Sequence, residues 1–327
     1  MEIQRRRFLH LAAGAAAMLS SMPRIAGAQT YPARPVRLIV AFAPGGVTDT
    51  FARLMGQKLG ERLGQQFFVE NITGATGNIG TGLAAKAAPD GYTLLFAFSS
   101  YVVNPTLFKK IPYDPYKDFE PVTLAVTSTT VVTIHPSVPA KTVKELVALI
   151  SANPGKYTYA SAGAGTQAHL AGEQFRLSLG LDLVHVPFNG GGPAIAAVVG
   201  GHTPIGFSSP AASIPQIREN NVRALAITSK TRSQILPDVP TMTEAGYPDI
   251  EGEAWFAVIV PARTPKDVVT LLHREIVRII ALPDMKERLA VLGLEMVGST
   301  PEECAAQFRT ELAKWSKVIR AAGIKAM

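Results

Sequence analysis

The stretch Ala43-Pro44-Gly45-Gly46-Val47-Thr48-Asp49 joins an apolar segment, residues 36–42, to an amphipathic one, residues 51–63. The apolar run predicts a strand buried on both faces of a sheet, and the amphipathic segment predicts a helix. The glycines predict a tight turn, after which Thr48 or Asp49 is expected to cap the helix. A helix that starts at such a turn presents free N–H groups and the positive end of its dipole. The stretch therefore predicts a site for a carboxylate or another anion.

The same order of strand, turn and helix continues along the chain, without the two-residue turns that mark hairpins. This alternation predicts doubly wound α/β sheets with parallel strands. About 300 residues are more than a single hydrophobic core usually holds, so we expect two lobes. The predicted strands cover residues 36–42, 67–70, 92–98, 122–125, 130–135, 157–161, 183–186, 205–207, 223–227 and 255–260.

The first residues have the order of a secretory signal. Gln4-Arg5-Arg6-Arg7-Phe8-Leu9-His10 resembles the twin-arginine pattern, an apolar run follows over residues 9–22, and Ala26-Gly27-Ala28 is a small-residue cleavage site. We expect cleavage after Ala28 and a periplasmic protein. A membrane anchor is disfavoured because the run is shorter than the ~20 residues that cross a bilayer. The general export route stays open, since no Ser or Thr precedes the arginine pair.

Composition excludes several classes of protein. The signal segment carries four of the 32 basic residues and one of the 25 acidic residues, so the mature chain has a formal charge of +4. Such a mild charge without a basic cluster gives no support for nucleic-acid binding. The chain has one cysteine, Cys304, which excludes an intrachain disulfide. The histidines show no metal-ligand spacing, so no metal site and no cofactor is expected.

A second glycine turn follows a later strand. Ser161-Ala162-Gly163-Ala164-Gly165-Thr166 comes after the strand at residues 157–161 and before another helix. Ligands of open α/β sheets bind beyond the carboxyl ends of the strands, at turns of this kind. The alternative is that the glycines only allow tight turns. Two turns in comparable positions favour a ligand held between two lobes.

Further motifs occur in order along the chain: Tyr31-Pro32-Ala33-Arg34-Pro35-Val36-Arg37-Leu38-Ile39-Val40, Pro89-Asp90-Gly91-Tyr92-Thr93-Leu94-Leu95, His169-Leu170-Ala171-Gly172-Glu173 and Leu236-Pro237-Asp238-Val239-Pro240-Thr241. Together with the first glycine turn, they make the mature chain resemble the Bug family (Bordetella uptake gene type). These proteins are the TctC-like solute-binding subunits of tripartite tricarboxylate transporters.

The resemblance implies a type II periplasmic-binding fold, with two lobes, two crossovers and the ligand in the cleft between them. The crossovers are expected near residues 125–127 and 251–254. Lobe 1 would then comprise residues 29–126 and 252–327, and lobe 2 residues 127–251. Family members hold the ligand carboxylate largely through backbone amides and ordered waters. Carried onto this chain, the expected ligand-binding residues are Phe42, Pro44, Gly45, Gly46, Thr48, Ser99, Ser161, Gly165, Thr166, Gln167 and Ser208.

Some residues keep two interpretations. Each of three side chains could contact the ligand or stabilise the start of a helix. Asp49 would interact with the helix dipole, His169 would pack or cap, and Asn78 would cap. Ser208 stands where relatives often have an acidic residue. If that acid contacts an amine or a hydroxyl of the ligand in relatives, its loss here argues against an amino-acid ligand.

The resemblance implies a monomeric protein that delivers a small organic carboxylate, a di- or tricarboxylate or an aromatic acid, to permease subunits in the membrane. An extracytoplasmic sensor that presents the carboxylate to a receptor is the alternative function. A hydrolase that uses Ser161 with His169 is disfavoured, because no orienting acid is evident in the sequence.

Overall fold

The computed structural model describes residues 31–324. The predicted signal segment and its cleavage site at Ala28 lie outside the described residues. Residues 31–33 belong to a separate N-terminal unit, and the compact unit that carries both sheets starts at Arg34. No helix within residues 31–324 combines the length and the apolar character needed to cross a bilayer.

The first sheet contains six of the described strands. β1 pairs in parallel with β2 and β3, whereas β10 runs antiparallel to β3 and β4. The spatial order is β11-β4-β10-β3-β1-β2. The strands are β1 (Val36–Val40), β2 (Phe67–Asn71), β3 (Thr93–Phe98), β4 (Phe119–Thr129), β10 (Glu253–Pro261) and β11 (Glu295–Met296).

Five described strands form the second sheet, in the order β7-β6-β8-β5-β9. β6 pairs in parallel with β7 and β8, whereas β5 runs antiparallel to β8 and β9. The strands are β5 (Val131–Ile134), β6 (Tyr157–Ser161), β7 (Leu183–Pro187), β8 (Ile205–Ser208) and β9 (Arg223–Ile227).

The expectation of parallel sheets is wrong, because β5, β10 and β11 run opposite to the remaining strands of their sheets. The two longer ones, β5 and β10, are apolar and almost fully buried. An apolar run indicates burial on two faces and carries no information about strand direction, so the sequence pattern could not distinguish the two arrangements.

The chain changes sheets twice. It leaves the first sheet at Thr130, and it returns between Ile227 and Glu253. The first crossover was expected at residues 125–127, but these lie inside β4, which stays paired with β10 as far as Thr129. The lobe boundaries themselves stay a prediction.

Helices connect most of the strands and cover the sheets. α10 (Pro301–Ala321) begins with a capping box, in which Thr300 Oγ1 accepts the Glu303 N–H at 3.2 Å. Thr264, just before α8 (Lys266–Ile280), does not cap that helix, since its hydroxyl donates to the Pro261 carbonyl. The described helices are α1 (Val47–Leu63), α2 (Asn78–Ala85), α3 (Ser100–Leu107), α4 (Val143–Ser151), α5 (Gln167–Ser178), α6 (Gly191–Val199), α7 (Pro210–Arg218), α8 (Lys266–Ile280), α9 (Pro283–Val291) and α10 (Pro301–Ala321).

Each sheet has its own hydrophobic core. The core of the first sheet includes Trp255, Trp315 and Phe308, and that of the second includes Tyr159 and Phe207. Leu170 of α5 is an exception, because it follows a strand of the second sheet but packs in the core of the first. This helix therefore joins the two halves of the molecule close to the predicted ligand turns.

Candidate functional site

A cavity of about 240 Å³ lies where residues of the two sheets meet. Both predicted turns contribute to its wall, together with the strands at the first crossover. Of the described residues that line it, none has an ionisable side chain. The lining residues are Val47, Thr48, Phe98, Ser128, Thr129, Thr130, Ala162, Thr166, Gln167, Ala168, Gly191, Ser209, Ala254, Phe256 and Leu292.

The first turn is shaped by Asp49, the third residue of α1. Its Oδ2 accepts the N–H of Gly45 at 2.9 Å and an N–H of Arg53 at 3.0 Å, while its Oδ1 accepts from Asn71 at 2.8 Å. Burial alone would raise the pKa of Asp49, but the hydrogen bonds from Arg53, Gly45 and Asn71 hold it below its usual range. The ionised Asp49 side chain therefore stabilises the turn through its hydrogen bond from Gly45. Gly45 adopts φ +82°, which favours glycine.

The second turn repeats this construction with a different acceptor. Gly165 has φ +76°, and its N–H donates to Nδ1 of His169 at 3.0 Å. His169 is the third residue of α5, as Asp49 is of α1. Thr166 caps α5 by accepting the His169 N–H at 3.3 Å. Burial lowers the pKa of His169. The acceptor in this turn is therefore a neutral imidazole, where the first turn has a carboxylate.

His169 of the second turn is part of a stack of aromatic rings. The rings of His169 and His185 lie 4.0 Å apart at an interplanar angle of 18°, and Tyr159 stacks on the other side of His185 at 4.8 Å. Nε2 of His185 lies 2.7 Å from Oγ of Ser161. Burial, and then the neighbouring His169, lower the pKa of His185 to about 4. The stack therefore stays uncharged near neutral pH.

Four helices begin at the cavity wall. α1 contributes its first two residues, Val47 and Thr48, and α5 contributes its N-cap and first two residues. α6 contributes its first residue, Gly191, and α7 its N-cap, Ser209. Helix N-termini carry a partial positive charge and N–H groups without intrahelical partners. The cavity wall is therefore suited to an anion although it has no cationic side chain.

Comparison with known proteins places this architecture in a family. Residues 51–324 match the model of the tripartite tricarboxylate transporter family receptor, TctC. The chain belongs to this family. It is 38% identical over 300 residues to Protein BugT of Bordetella pertussis, an alignment that covers 91% of this chain and 92% of BugT.

Solved structures of similar proteins share the architecture. Rpa4515 of R. palustris, determined with adipate, is 31% identical to this TctC family member; the match has a TM-score of 0.78 and covers 91% of this chain and all of Rpa4515. MatC of Rhodopseudomonas palustris, with bound malate, is 32% identical, with a TM-score of 0.74 over 88% of this chain and all of MatC. The family and the two sheets confirm the expected resemblance and the type II periplasmic-binding fold.

The cavity brings together three of the residues predicted for ligand binding in this TctC family member, namely Thr48, Thr166 and Gln167. The other predicted residues do not line the cavity. Their contact with a ligand stays a prediction. They are Phe42, Pro44, Gly45, Gly46, Ser99, Ser161, Gly165 and Ser208.

Several of these residues have structural partners instead. Oγ of Ser99 accepts the backbone N–H of Trp255 at 2.8 Å, and Oγ of Ser208 lies 2.6 Å from Oγ of Ser213. Phe42 packs edge-to-face on Phe98 at 5.7 Å. Neither serine lines the cavity. Phe98, which precedes Ser99, and Ser209, which follows Ser208, line it instead.

The three residues with two interpretations all have internal partners. Asp49 and His169 each hold the N–H of a glycine, as described above. Asn78, the first residue of α2, accepts a hydrogen bond at 2.8 Å from Asn104, which is fully buried. Within the described part of the chain, none of the three lines the cavity.

Other cavity residues were missed from the sequence. Gly191 and Ser209 follow β7 and β8, so the rule that located the two predicted turns applies to them as well. Phe256 and Leu292 carry no such signal. They reach the cavity because β10 enters the centre of the first sheet and because the turn after α9 folds back onto the cleft.

Proposed function

We propose that this protein captures a small organic carboxylate in the periplasm and delivers it to the membrane permease subunits of a tripartite tricarboxylate transporter. The observation that carries the proposal is the set of four helix N-termini around one cavity without ionisable side chains. Backbone N–H groups and helix dipoles bind carboxylates without requiring an oppositely charged side chain.

The size and the apolar part of the cavity favour a compact ligand with a hydrocarbon body. At about 240 Å³ the cavity is smaller than the roughly 300–1,000 Å³ of typical drug-sized sites. Phe98, Phe256 and Leu292 give it an apolar wall. A di- or tricarboxylate or a small aromatic acid combines the required charge and size, and the adipate and malate complexes of Rpa4515 and MatC support that class.

The geometry supports binding rather than hydrolysis. Ser161, the candidate nucleophile, is fully buried and bonds to His185 rather than to His169. His185, with a pKa of about 4, is a poor general base at neutral pH. The sensor alternative has the same capture step, and it differs only in the partner that receives the loaded protein.

The test is a thermal-shift screen of the mature protein against carboxylates, including aliphatic diacids, tricarboxylates and aromatic acids, followed by calorimetry of the hits. We expect at least one carboxylate to raise the melting temperature, since a ligand that binds only the folded state stabilises it. A screen in which no carboxylate shifts the melting temperature would overturn the ligand class. Turnover of a hit would favour an enzyme.

Uptake measurements distinguish transport from sensing. In the source cell, deletion of this chain is expected to abolish uptake of the radiolabelled hit, and mature protein added to spheroplasts should restore it. Normal uptake combined with a lost transcriptional response to the hit would favour the sensor.

A further inference from the structure

A groove of about 440 Å³ lies between α9 and the last residue of α7, apart from the ligand cavity. Arg218, Gln234 and Ile235 line it from the half of the molecule that is built on the second sheet. The other lining residues belong to α9, to β11 or to the turn between them, in the half built on the first sheet. Both halves of the molecule therefore form this groove, and it shares no lining residue with the ligand cavity.

The groove has an apolar base that reaches the surface. Leu289 and Leu294 are buried, Ile235 is half-buried, and 45% of Met296 is exposed. Exposed apolar surface that is rimmed by polar residues is typical of interaction sites. The groove is therefore a candidate surface for a partner protein.

The charges at this groove are positive where they are not already satisfied. Arg218 and Lys286 are exposed, and neither forms an ion pair within residues 31–324. Glu295 is the acidic residue of the described lining, and its Oε1 accepts a hydrogen bond from the hydroxyl of Ser233. Complementary charge at an interface steers association and fixes the orientation of the partner. The groove therefore fits a partner with acidic side chains.

β11 gives the groove a free strand edge. It is the outermost strand of the first sheet, and no strand of the described chain pairs with its other edge. Side chains of neighbouring strand residues point to opposite faces of a sheet, yet Glu295 and Met296 both line the groove. The groove therefore runs along the edge of β11, where an extended segment can bind. A planar membrane surface fits such a groove less well.

The turn after α9 lies between the groove and the ligand cavity. Leu292 lines the ligand cavity, whereas Leu294 lines the groove. Gly293 packs on the start of α7, where an added Cβ would lie 2.8 Å from the backbone nitrogen of Ala211. Periplasmic binding proteins close around their ligands by moving one lobe relative to the other. Because the two halves form opposite walls of the groove, such a closure changes its width.

We infer that this groove is the docking site for an extended segment of a permease subunit, one that carries both acidic and apolar side chains. The inference rests on the proposed function and assigns a surface to the partner. Acidic side chains of the segment pair with Arg218 and Lys286, and its apolar side chains cover Ile235 and Met296. The segment binds the loaded protein more tightly than the empty one, because the groove takes its final width on closure.

The first test reverses the two cations of the groove. The variant is Arg218→Glu with Lys286→Glu. The control is Lys144→Glu with Lys317→Glu, which changes two exposed lysines, one in each half, that lie outside both the groove and the ligand cavity. Each mature protein is added at limiting concentration to spheroplasts that lack this chain. The probe is whichever of adipate, malate and benzoate binds the wild type most tightly, and the readouts are the initial uptake rate and the dissociation constant from calorimetry.

We expect the groove variant to lower the uptake rate at least about tenfold and to change the dissociation constant less than twofold, because like charges then face the partner. The control variant should support uptake at the wild-type rate. A wild-type rate in the groove variant, or an equal loss in the control, would overturn the inference while leaving the proposed function intact. If none of the three carboxylates bound the wild type, or if deletion of the chain left uptake normal, both would fail.

Melting temperatures verify that the variants fold. If the charge reversal failed to fold, Arg218→Gln with Lys286→Gln would decide the question. This neutral variant removes the attraction without adding repulsion, so we expect a loss in uptake rate of about threefold or more. An unchanged rate in the folded neutral variant would contradict the inference.

A second test identifies the occupant of the groove. A photoreactive benzoyl-phenylalanine replaces Gln234, which is exposed and lines the groove. In membranes that contain the permease, we expect a crosslink to a permease subunit that increases when the probe is added, and mass spectrometry should find Asp or Glu in the captured peptide. A crosslink to a second copy of this chain instead would overturn the inference. So would binding to phosphatidylglycerol–phosphatidylethanolamine vesicles that depends on Arg218 and Lys286, because the groove would then recognise lipid.

Discussion

His185 connects the second turn to the ring stack. It lies between His169 and Tyr159 in the ring stack and holds the hydroxyl of Ser161. A proton on one of two imidazoles 4.0 Å apart opposes a proton on the other. Protonation of the stack is therefore disfavoured in the folded protein.

Lowering the pH should destabilise the protein through this residue. The pKa of His185 is about 4 in the folded protein, against an ordinary value of 6.5, so the unfolded chain binds more protons between these values. The free energy of unfolding should fall as the pH is lowered from 6.5 to 4, and burial of His169 acts in the same direction.

Urea unfolding at a series of pH values measures this dependence. His185→Gln should reduce its slope between pH 6.5 and 4, whereas the same substitution at the exposed His202 should leave it unchanged. If the free energy of unfolding depended on pH equally in the wild type and in His185→Gln, the ring stack would not be the cause of the dependence.

At the scale of elements, each ligand turn is held by the helix that follows it. The third residue of α1 and of α5 reaches back to the N–H of a glycine at φ near +80°. The sequence indicated both turns and both helices, because glycines and strand–helix alternation are local signals. It could not indicate that Asp49 and His169 are equivalent, since that depends on side-chain geometry.

Removal of the acceptor in the first turn should destabilise the fold. Asp49→Ala leaves the N–H of Gly45 without its partner and removes one of the two acceptors of Asn71 Nδ2, and 3% of the Asp49 side chain is exposed. We expect a loss of about 1–3 kcal/mol in the free energy of unfolding, measured in urea.

Asp267 provides the matched control for this substitution. It also lies in the first turn of a helix, α8, but it is exposed. Asp267→Ala should change stability by less than about 0.5 kcal/mol. Equal losses for the two variants would indicate that only the helix dipole matters, and not the turn.

For the whole molecule, the second turn is also a contact between its halves. Gly165 lies against Leu107 of α3, a helix of the first sheet, and an added Cβ would be 2.9 Å from its Cδ1. Leu170, one turn further along α5, packs in the core of the first sheet. A change at this turn should therefore affect both halves.

Gly165→Ala tests this contact, with Gly180→Ala as its control. Both glycines have positive φ, at +76° and +60°, but an added Cβ at Gly180 meets nothing within 4 Å. Each substitution should cost roughly 1–2 kcal/mol for the left-handed backbone. Gly165→Ala should lose about 1–3 kcal/mol more, because Leu107 must move. Equal losses of stability for the two variants in thermal unfolding would contradict this, because they would mean that Leu107 accommodates the added methyl group at no cost.

The sequence by itself determined the α/β class, both glycine turns and most strands and helices, and it predicted a preference for an anion. These follow from periodicity, glycine positions and helix starts, which are properties of neighbouring residues. It also predicted Thr48, Thr166 and Gln167 as site residues, and these three line the cavity.

Only the tertiary structure decided the direction of β5 and β10, and it alone brought Phe256 and Leu292 to the cavity. It also brought four helix N-termini to one cavity, three of them following strands of the second sheet. These features join segments far apart in the chain, and no local pattern specifies how such segments pack.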